Sequence, residues 1–280
     1  MKIVVTGANG QLGSELREVL TSTNYDVFFL DRKQLPLEHT AIIQDILSMY
    51  EPDLIIHCAA YTAVDKAETE VELAFKINHL ACEEIAQYCR IHGAKLIAIS
   101  TDYVFDGTSN VALREEAPIG PINVYGHSKR KGEEAILKWA PESIIIRTSW
   151  VYSTFGNNFV KTMIRLMNER DEISVISDQT GSPTYAYDLA KAIELIINSE
   201  WKPGIYHFSN EGESTWYDFA TTIRDLKGLN CKIIPIPTSS YPTPAKRPKY
   251  SLLDKEKIKS TFSMEVPNWK DSLAIMLSKL

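Results

Sequence analysis

MKIVVTGANGQLG, residues 1–13, is the stretch whose reading decides the fold. Lys2, Ile3, Val4, Val5 and Thr6 form a short β-branched run of the kind that fills the buried first strand of a parallel sheet. Gly7, Gly10 and Gly13 follow in the spacing G-x-x-G-x-x-G, and Leu12, Leu16, Val19 and Leu20 then recur at helical intervals. Each glycine has a separate physical role. The first permits a tight turn off the strand, the second lets backbone N–H groups approach a pyrophosphate, and the third lets the helix pack close to the sheet. The N-terminus of that helix then favours the phosphate charge.

Outward from this unit, strand and helix patterns alternate for about 150 residues, which predicts a doubly wound, Rossmann-type parallel sheet. A chain of 280 residues accommodates one such α/β unit and a smaller attachment. We divide it into a dinucleotide-binding part, residues 1–148, and a mainly substrate-binding lobe, residues 149–280, interleaved with the late strands of the sheet. The second strand, Asp26 to Leu30, ends at Asp31, near where such folds put a carboxylate on the adenosine ribose. Arg32 follows at once, and an arginine there accommodates a 2'-phosphate, so the two cues conflict. The fourth strand, Leu54 to Cys58, runs into Ala59, Ala60, Tyr61 and Thr62, small enough at its start for a flat ligand to approach the backbone. Val64 to His92 reads as one or two helices, with Asn78 inside them either as a backbone-binding kink or as an exposed residue. Gly93 stops the helix, and Lys95 to Ser100 supplies the next strand.

Ser100 to Gly107, STDYVFDG, then lies at the carboxyl edge of the sheet, where open α/β folds bind ligands. Tyr125 and Lys129 open a helix that continues to about Lys138, and their spacing of four puts them on one face. At about 4 Å and an effective dielectric of about 20, a lysine charge favours phenolate by about 4 kcal/mol, roughly three pK units. Such a tyrosine becomes a usable acid or base near neutrality. His127 points off that face and is read as structural. Beyond Thr148, strands at Ile173 to Ser177 and Ile205 to Phe208 and helices at Asp188 to Asn198 and Trp216 to Leu226 are expected. Pro235 to Pro248 holds five prolines and reads as extended, with a linker as one possibility and diphosphate contact by Lys246 and Arg247 as the other.

The net charge of -6, with basic residues scattered, removes the electrostatic footprint of a nucleic-acid binder. No apolar run reaches membrane-spanning length and no signal-peptide pattern opens the chain, so a cytoplasmic protein without a membrane partner is expected. Cys58, Cys82, Cys89 and Cys231 form no C-x-x-C pair and are expected as free thiols. The six histidines show no H-E-x-x-H or H-x-H pattern, so no metal is expected.

Thr6 to Gly13, Ala59 to Asp65, Ser100 to Gly107 and Tyr125 to Lys129 together resemble the extended short-chain dehydrogenase/reductases. AAYTAVDKAE at 59–68, RTSWVY at 147–152, NNFVKTM at 157–163, DQTGSPT at 178–184 and RPKYSLLD at 247–254 are similar, within that superfamily, to the dTDP-4-dehydrorhamnose reductase family. The resemblance implies Thr101, Tyr125 and Lys129 as catalytic residues. It implies Gly10, Gln11 and Leu12 on the pyrophosphate and Ala60, Tyr61 and Thr62 along the cofactor. Thr101, Asp102 and Trp150 would touch the sugar, with Asn158, Gln179 and Arg247 further along the substrate. Trp150 has the alternative of a core aromatic at a strand end. Where the family often carries an L-D pair after the third strand, this chain reads Leu35-Pro36, a departure on the adenine side. The implied activity is reduction of the 4-keto group of dTDP-4-dehydro-L-rhamnose with NADPH or NADH, by a monomer or homodimer. Asp31 opposes a 2'-phosphate and Arg32 offsets it, so both cofactors are expected to serve. The alternatives are a related sugar-nucleotide dehydratase or epimerase, and a non-catalytic subunit resembling the regulatory subunit of methionine adenosyltransferase. Related dehydratases carry Asp-Glu after the catalytic threonine; Asp102-Tyr103 here lacks the second carboxylate.

Overall fold

The computed structural model describes residues 1–280. The chain opens as expected with β1 (Lys2–Thr6), α1 (Gln11–Leu20) and β2 (Asp26–Leu30), followed by α2 (Ile43–Ser48) and β3 (Leu54–His57). Short helices α3 (Val64–Ala67) and α4 (Val71–Phe75) lead through a π-helical turn, Lys76–Leu80, into α5 (Ala81–His92). Gly93 ends α5 in the left-handed region at φ 72°. Then come β4 (Lys95–Thr101), α6 (Val124–Trp139), β5 (Ile144–Thr148) and a two-residue β6 (Val151–Tyr152). The second half supplies α7 (Phe159–Glu169), β7 (Glu172–Ile176), β8 (Thr180–Gly181), β9 (Thr184–Tyr185), α8 (Ala186–Ile197) and β10 (Gly204–His207). It ends with β11 (Ser214–Thr215), α9 (Trp216–Lys227), β12 (Lys232–Ile236), α10 (Glu256–Phe262) and α11 (Trp269–Ser278).

Six parallel strands form the central sheet in the order β10-β5-β4-β3-β1-β2. The apolar residues of β1 divide between its faces, as strand periodicity requires. Ile3 and Val5 pack with Leu12 and Leu16 of α1 and with Leu189 and Ile193 of α8. Val4 points the other way, into a core with Ile55, with Ile85 of α5 and with Ile136 of α6. A separate core holds the smaller lobe, where Val160 and Met163 of α7 meet Phe219 of α9, Trp269 and Leu273. The sheet draws its edge strand β10 and the covering helices α8 and α10 from the second half of the chain, so the two parts are interleaved.

Two readings of the sequence change. Leu54 to Cys58 was expected as the fourth strand, but it is the third: residues between β2 and β3 form a 3-10 turn, Thr40–Ile42, and α2, a crossover with no strand in it. The proline-bearing stretch is no linker. β12 runs through Pro235 to Ile236 beside β7, and Arg247 is tied to Asp65 across the molecule.

The order of strands sets the position of the site. After β2 the chain crosses back over β1 to β3, so the loops after β1 and β3 diverge and leave a crevice at the carboxyl edge between them.

Candidate active site

That crevice is a cavity of about 860 Å³, within the range of small-molecule sites. It runs from Asp31, Arg32 and Glu38, past the glycine loop, to Thr101, Tyr125, Trp150 and Trp216.

At the glycine loop the fit is made by missing side chains. Gly7 has φ 74°, and a Cβ on it would lie 2.8 Å from the Ala59 nitrogen; one on Gly13 would lie 2.3 Å from the Gly7 carbonyl oxygen. Helix α1 starts at Gln11 behind Gly10, whose own N–H donates to the Gly7 carbonyl at 2.9 Å; no side chain caps the helix, so its first N–H groups have no side-chain acceptor there. Gly10, Gln11, Leu12 and Gly13 all line the cavity, as do Ala59, Ala60, Tyr61 and Thr62 opposite. An uncapped helix start in a glycine-floored cavity fits the pyrophosphate of a dinucleotide. The Gln11 side chain also joins the loop to the smaller lobe, since its amide donates to the Val151 carbonyl at 3.3 Å and its Oε1 accepts from Asn158 at 3.0 Å.

Asn78 resolves as the backbone-binding kink. It is buried in the π-helical turn, where its Oδ1 accepts from the Tyr61 N–H at 2.8 Å and its Nδ2 donates to the Tyr61 carbonyl at 3.0 Å and to Ser128 Oγ at 3.0 Å. One amide thereby pins the Ala59–Thr62 wall to α6. Below it, His57 is buried with Nδ1 2.8 Å from Thr6 Oγ1, and burial followed by the Lys129 charge pulls its pKa down to about 3. This imidazole is neutral.

Tyr125 and Lys129 sit one turn apart on α6, whose N-terminus is capped by Asn123 accepting from the Gly126 N–H. Gly126 is required there, since a Cβ would lie 2.2 Å from the Tyr103 carbonyl oxygen. His127 is exposed between them. The expected effect of Lys129 on the phenol is absent. The ammonium donates to the Ile99 carbonyl at 2.7 Å, and burial pushes the Tyr125 phenol up to about 12 while the Thr101 hydroxyl draws it down. Sharing a helical face put the two residues side by side, but the lysine head turns toward the end of β4. Tyr125 is consequently a protonated phenol at neutral pH.

Thr101 closes β4, donates to Asp102 Oδ1 at 3.1 Å and accepts from the Tyr103 N–H at 3.2 Å. Burial raises the Asp102 carboxyl to about 6, and its Oδ2 has no hydrogen-bond partner. Tyr103 packs edge-on against Tyr125, ring centroids 5.7 Å apart. Beneath these, Arg147 is fully buried with Nε and Nη2 each 2.8 Å from a Glu133 oxygen, while Ser100 donates to the same carboxylate at 2.6 Å. This pair fixes α6 against β4 and β5, and no motif in the sequence pointed to it.

Trp150 is not a core aromatic. Its backbone lies in the left-handed region at φ 47°, and its indole stacks on Trp216 with centroids 3.7 Å apart and planes 11° from parallel. Gly181 makes room, because a Cβ there would lie 2.9 Å from Trp150 Cε2. Trp216 escaped the sequence reading. Its one signal was the capping box formed by Thr215 and Asp218, which fixes the start of α9 and so aims the indole. Asn158 lines the cavity, but its Oδ1 caps α7 at the Lys161 N–H and its Nδ2 serves Gln11 and Ser153. Gln179 and Arg247 do not line it. The Gln179 amide donates to Thr238 Oγ1 at 3.1 Å, and the Arg247 guanidinium is engaged by Asp65 at 2.7 and 3.1 Å. Lys246 is exposed.

Residues 1–280 match the family model described as RmlD substrate binding domain. The chain is 40% identical to the dTDP-4-dehydrorhamnose reductase of Aggregatibacter actinomycetemcomitans, over 97% of each protein. It is also 40% identical to the spore coat polysaccharide biosynthesis protein SpsK of Bacillus subtilis, over 97% of this chain and 95% of that one. Among solved structures, dTDP-4-dehydrorhamnose reductase from Bacillus anthracis in complex with NADP superposes with a TM-score of 0.96 at 40% identity, covering 100% of this chain and 99% of the other. The chain belongs to the dTDP-4-dehydrorhamnose reductase family.

Proposed function

We propose that the chain is an NAD(P)H-dependent reductase that converts the 4-keto group of dTDP-4-dehydro-L-rhamnose to the alcohol of dTDP-L-rhamnose. The observation that carries this reading is one cavity whose lining includes both the glycine loop and the group Thr101, Tyr125 and Lys129.

A bound reduced nicotinamide supplies the hydride for the carbonyl carbon. Tyr125, half-buried and protonated, gives its phenolic proton to the carbonyl oxygen as charge develops there. Thr101, oriented by Asp102 and the Tyr103 N–H, hydrogen-bonds the same oxygen. Lys129, whose ammonium donates to the Ile99 carbonyl, would hold the ribose of the nicotinamide when the cofactor is bound. Gly7, Gly10, Gln11, Leu12 and Gly13 take the pyrophosphate, and Ala59 to Thr62 form the wall along the dinucleotide. Trp150 covers the sugar, Asp102 takes a sugar hydroxyl, and residues 149–280 serve mainly as the substrate lobe. Phosphate contact by Arg247 requires it to share or leave Asp65. We further propose that the protein works in the cytoplasm, in keeping with four free cysteines, as a monomer or homodimer whose mass light scattering will give.

The dehydratase reading asks for a second carboxylate that Tyr103, a half-buried phenol raised in pKa, does not supply. The experiment is a turnover assay with dTDP-4-dehydro-L-rhamnose, following nicotinamide absorbance. The expected result is one reduced nicotinamide consumed per sugar reduced. Conversion of dTDP-glucose to its 4-keto-6-deoxy product with no net absorbance change would overturn the assignment, and dinucleotide binding without any turnover would favour a regulatory subunit.

A further inference from the structure

Three charged side chains line the end of the cavity remote from Tyr125: Asp31, Arg32 and Glu38. Asp31 is fixed by the turn after β2, where its Oδ1 accepts from the N–H groups of Lys33 at 2.8 Å and Gln34 at 3.1 Å, and its Oδ2 from the Asn9 amide at 3.3 Å. These donors hold the carboxyl below the usual carboxylate range. Arg32, the residue expected to offset a 2'-phosphate, is turned away to Glu38. Its Nε and Nη2 both donate to Glu38 Oε1, at 3.0 and 2.7 Å. Glu38 is set in place by the buried side chains Leu35 and Leu37, which anchor the segment and line the same cavity. Lys33 is exposed and takes no part in the wall.

The wall therefore carries two carboxylates and one guanidinium, and the guanidinium is already engaged. A ribose 2'-hydroxyl needs only an acceptor, which Asp31 offers. A 2'-phosphate brings close to two negative charges into a wall that is net negative, and it must take Arg32 from Glu38. Resting on the dinucleotide reading above, we propose that Glu38 determines cofactor specificity: by holding Arg32 it sets this chain toward NADH over NADPH. The guanidinium is largely exposed, so the pair is weak and the preference is a matter of several-fold, with NADPH still accepted.

The test is calorimetric titration of the full chain with NAD⁺ and with NADP⁺ in the absence of sugar. The unsubstituted protein should bind NAD⁺ several-fold more tightly. Glu38→Gln should raise the ratio of NADP⁺ to NAD⁺ affinity about fivefold or more, and the gain should vanish when Arg32→Ala is combined with it. A ratio unchanged by Glu38→Gln overturns the proposal, and so does a gain that survives the loss of Arg32. Failure of the unsubstituted protein to bind either dinucleotide would instead overturn the reductase reading, so the two failures are distinct.

Discussion

At the glycine-loop end the cavity wall is largely backbone, shaped by the side chains that Gly7, Gly10 and Gly13 lack; at the sugar end it is side chains. There Thr101 and Asp102 follow β4, Tyr125 rides on α6, Trp150 follows β5 and Trp216 opens α9. The difference decides how each end responds to change. A backbone cradle rejects an added atom, whereas a wall of separate side chains loses one interaction at a time. Substitutions at the two ends therefore separate binding from chemistry.

The largest effect is expected at the sugar end, where Tyr125→Phe removes one hydroxyl. Its loss should lower kcat for ketone reduction by about 10²- to 10⁴-fold while dinucleotide affinity stays nearly unchanged. Stopped-flow reduction paired with a cofactor titration checks both halves. A kcat near that of the parent would remove Tyr125 as the acid.

The reverse pattern belongs to Gly13→Ala. The new Cβ would fall 2.3 Å from the Gly7 carbonyl oxygen and 3.0 Å from Ala8 Cα, backbone atoms that cannot swing aside as a side chain would. Overpacking of this kind costs about 1–3 kcal/mol, so thermal stability and dinucleotide affinity should fall together. A variant with parental Tm and parental affinity would show that the loop has slack the packing does not reveal.

The same contrast explains what the sequence disclosed. The glycine loop is local: strand, turn and helix are consecutive, so the spacing of three glycines was enough to read it. Tyr125 and Lys129 were legible because one helix carries both. The direction of the lysine head was not, since the Ile99 carbonyl that receives it belongs to β4, 30 residues back in the chain. Trp150 and Trp216 join segments far apart in the chain, and Glu133 and Arg147, though only 14 residues separate them, sit on a helix and the strand after it; nothing in either segment alone marks the contact. Glu38 escaped for a related reason: a surface-loop acid is unremarkable until its arginine partner is seen.

Trp216 tests whether the sugar end acts through single side chains. Its stack holds Trp150 at 3.7 Å, and aromatic pairs contribute about 0.5–1.5 kcal/mol beyond burial. Trp216→Ala should raise KM for the sugar nucleotide about fivefold, leave kcat within about twofold, and abolish the exciton couplet of the paired indoles in circular dichroism. KM unchanged after the couplet is lost would mean that Trp150 is held by Gly181 and its backbone alone.

The smallest effect distinguishes the ends by the sign of their response to pH. Burial raises Asp102, at the sugar end, to about 6 from an ordinary 3.8, so the folded chain binds more protons than the unfolded one between pH about 4 and 6. Its contribution to stability is fully present below that window and is lost as pH rises through it. His57, under the glycine-loop end, is lowered to about 3 from 6.5, mainly by burial, and here the unfolded chain binds more protons. That contribution is fully present above pH about 6.5 and is lost as pH falls. Relative to the parent, Asp102→Asn should therefore gain Tm as pH is raised from 4 to 6, and His57→Gln should lose it over the same interval. Each difference is of order 1 kcal/mol, or a few degrees for a chain of this size. His207, also lowered to about 3, keeps an acid limb in both variants, so the comparison rests on differences from the parent and not on the shape of any one curve. Parallel curves for Asp102→Asn and the parent would show that the carboxyl titrates in the folded chain as it does in the unfolded one, and the opposition between the two ends would not extend to their protons.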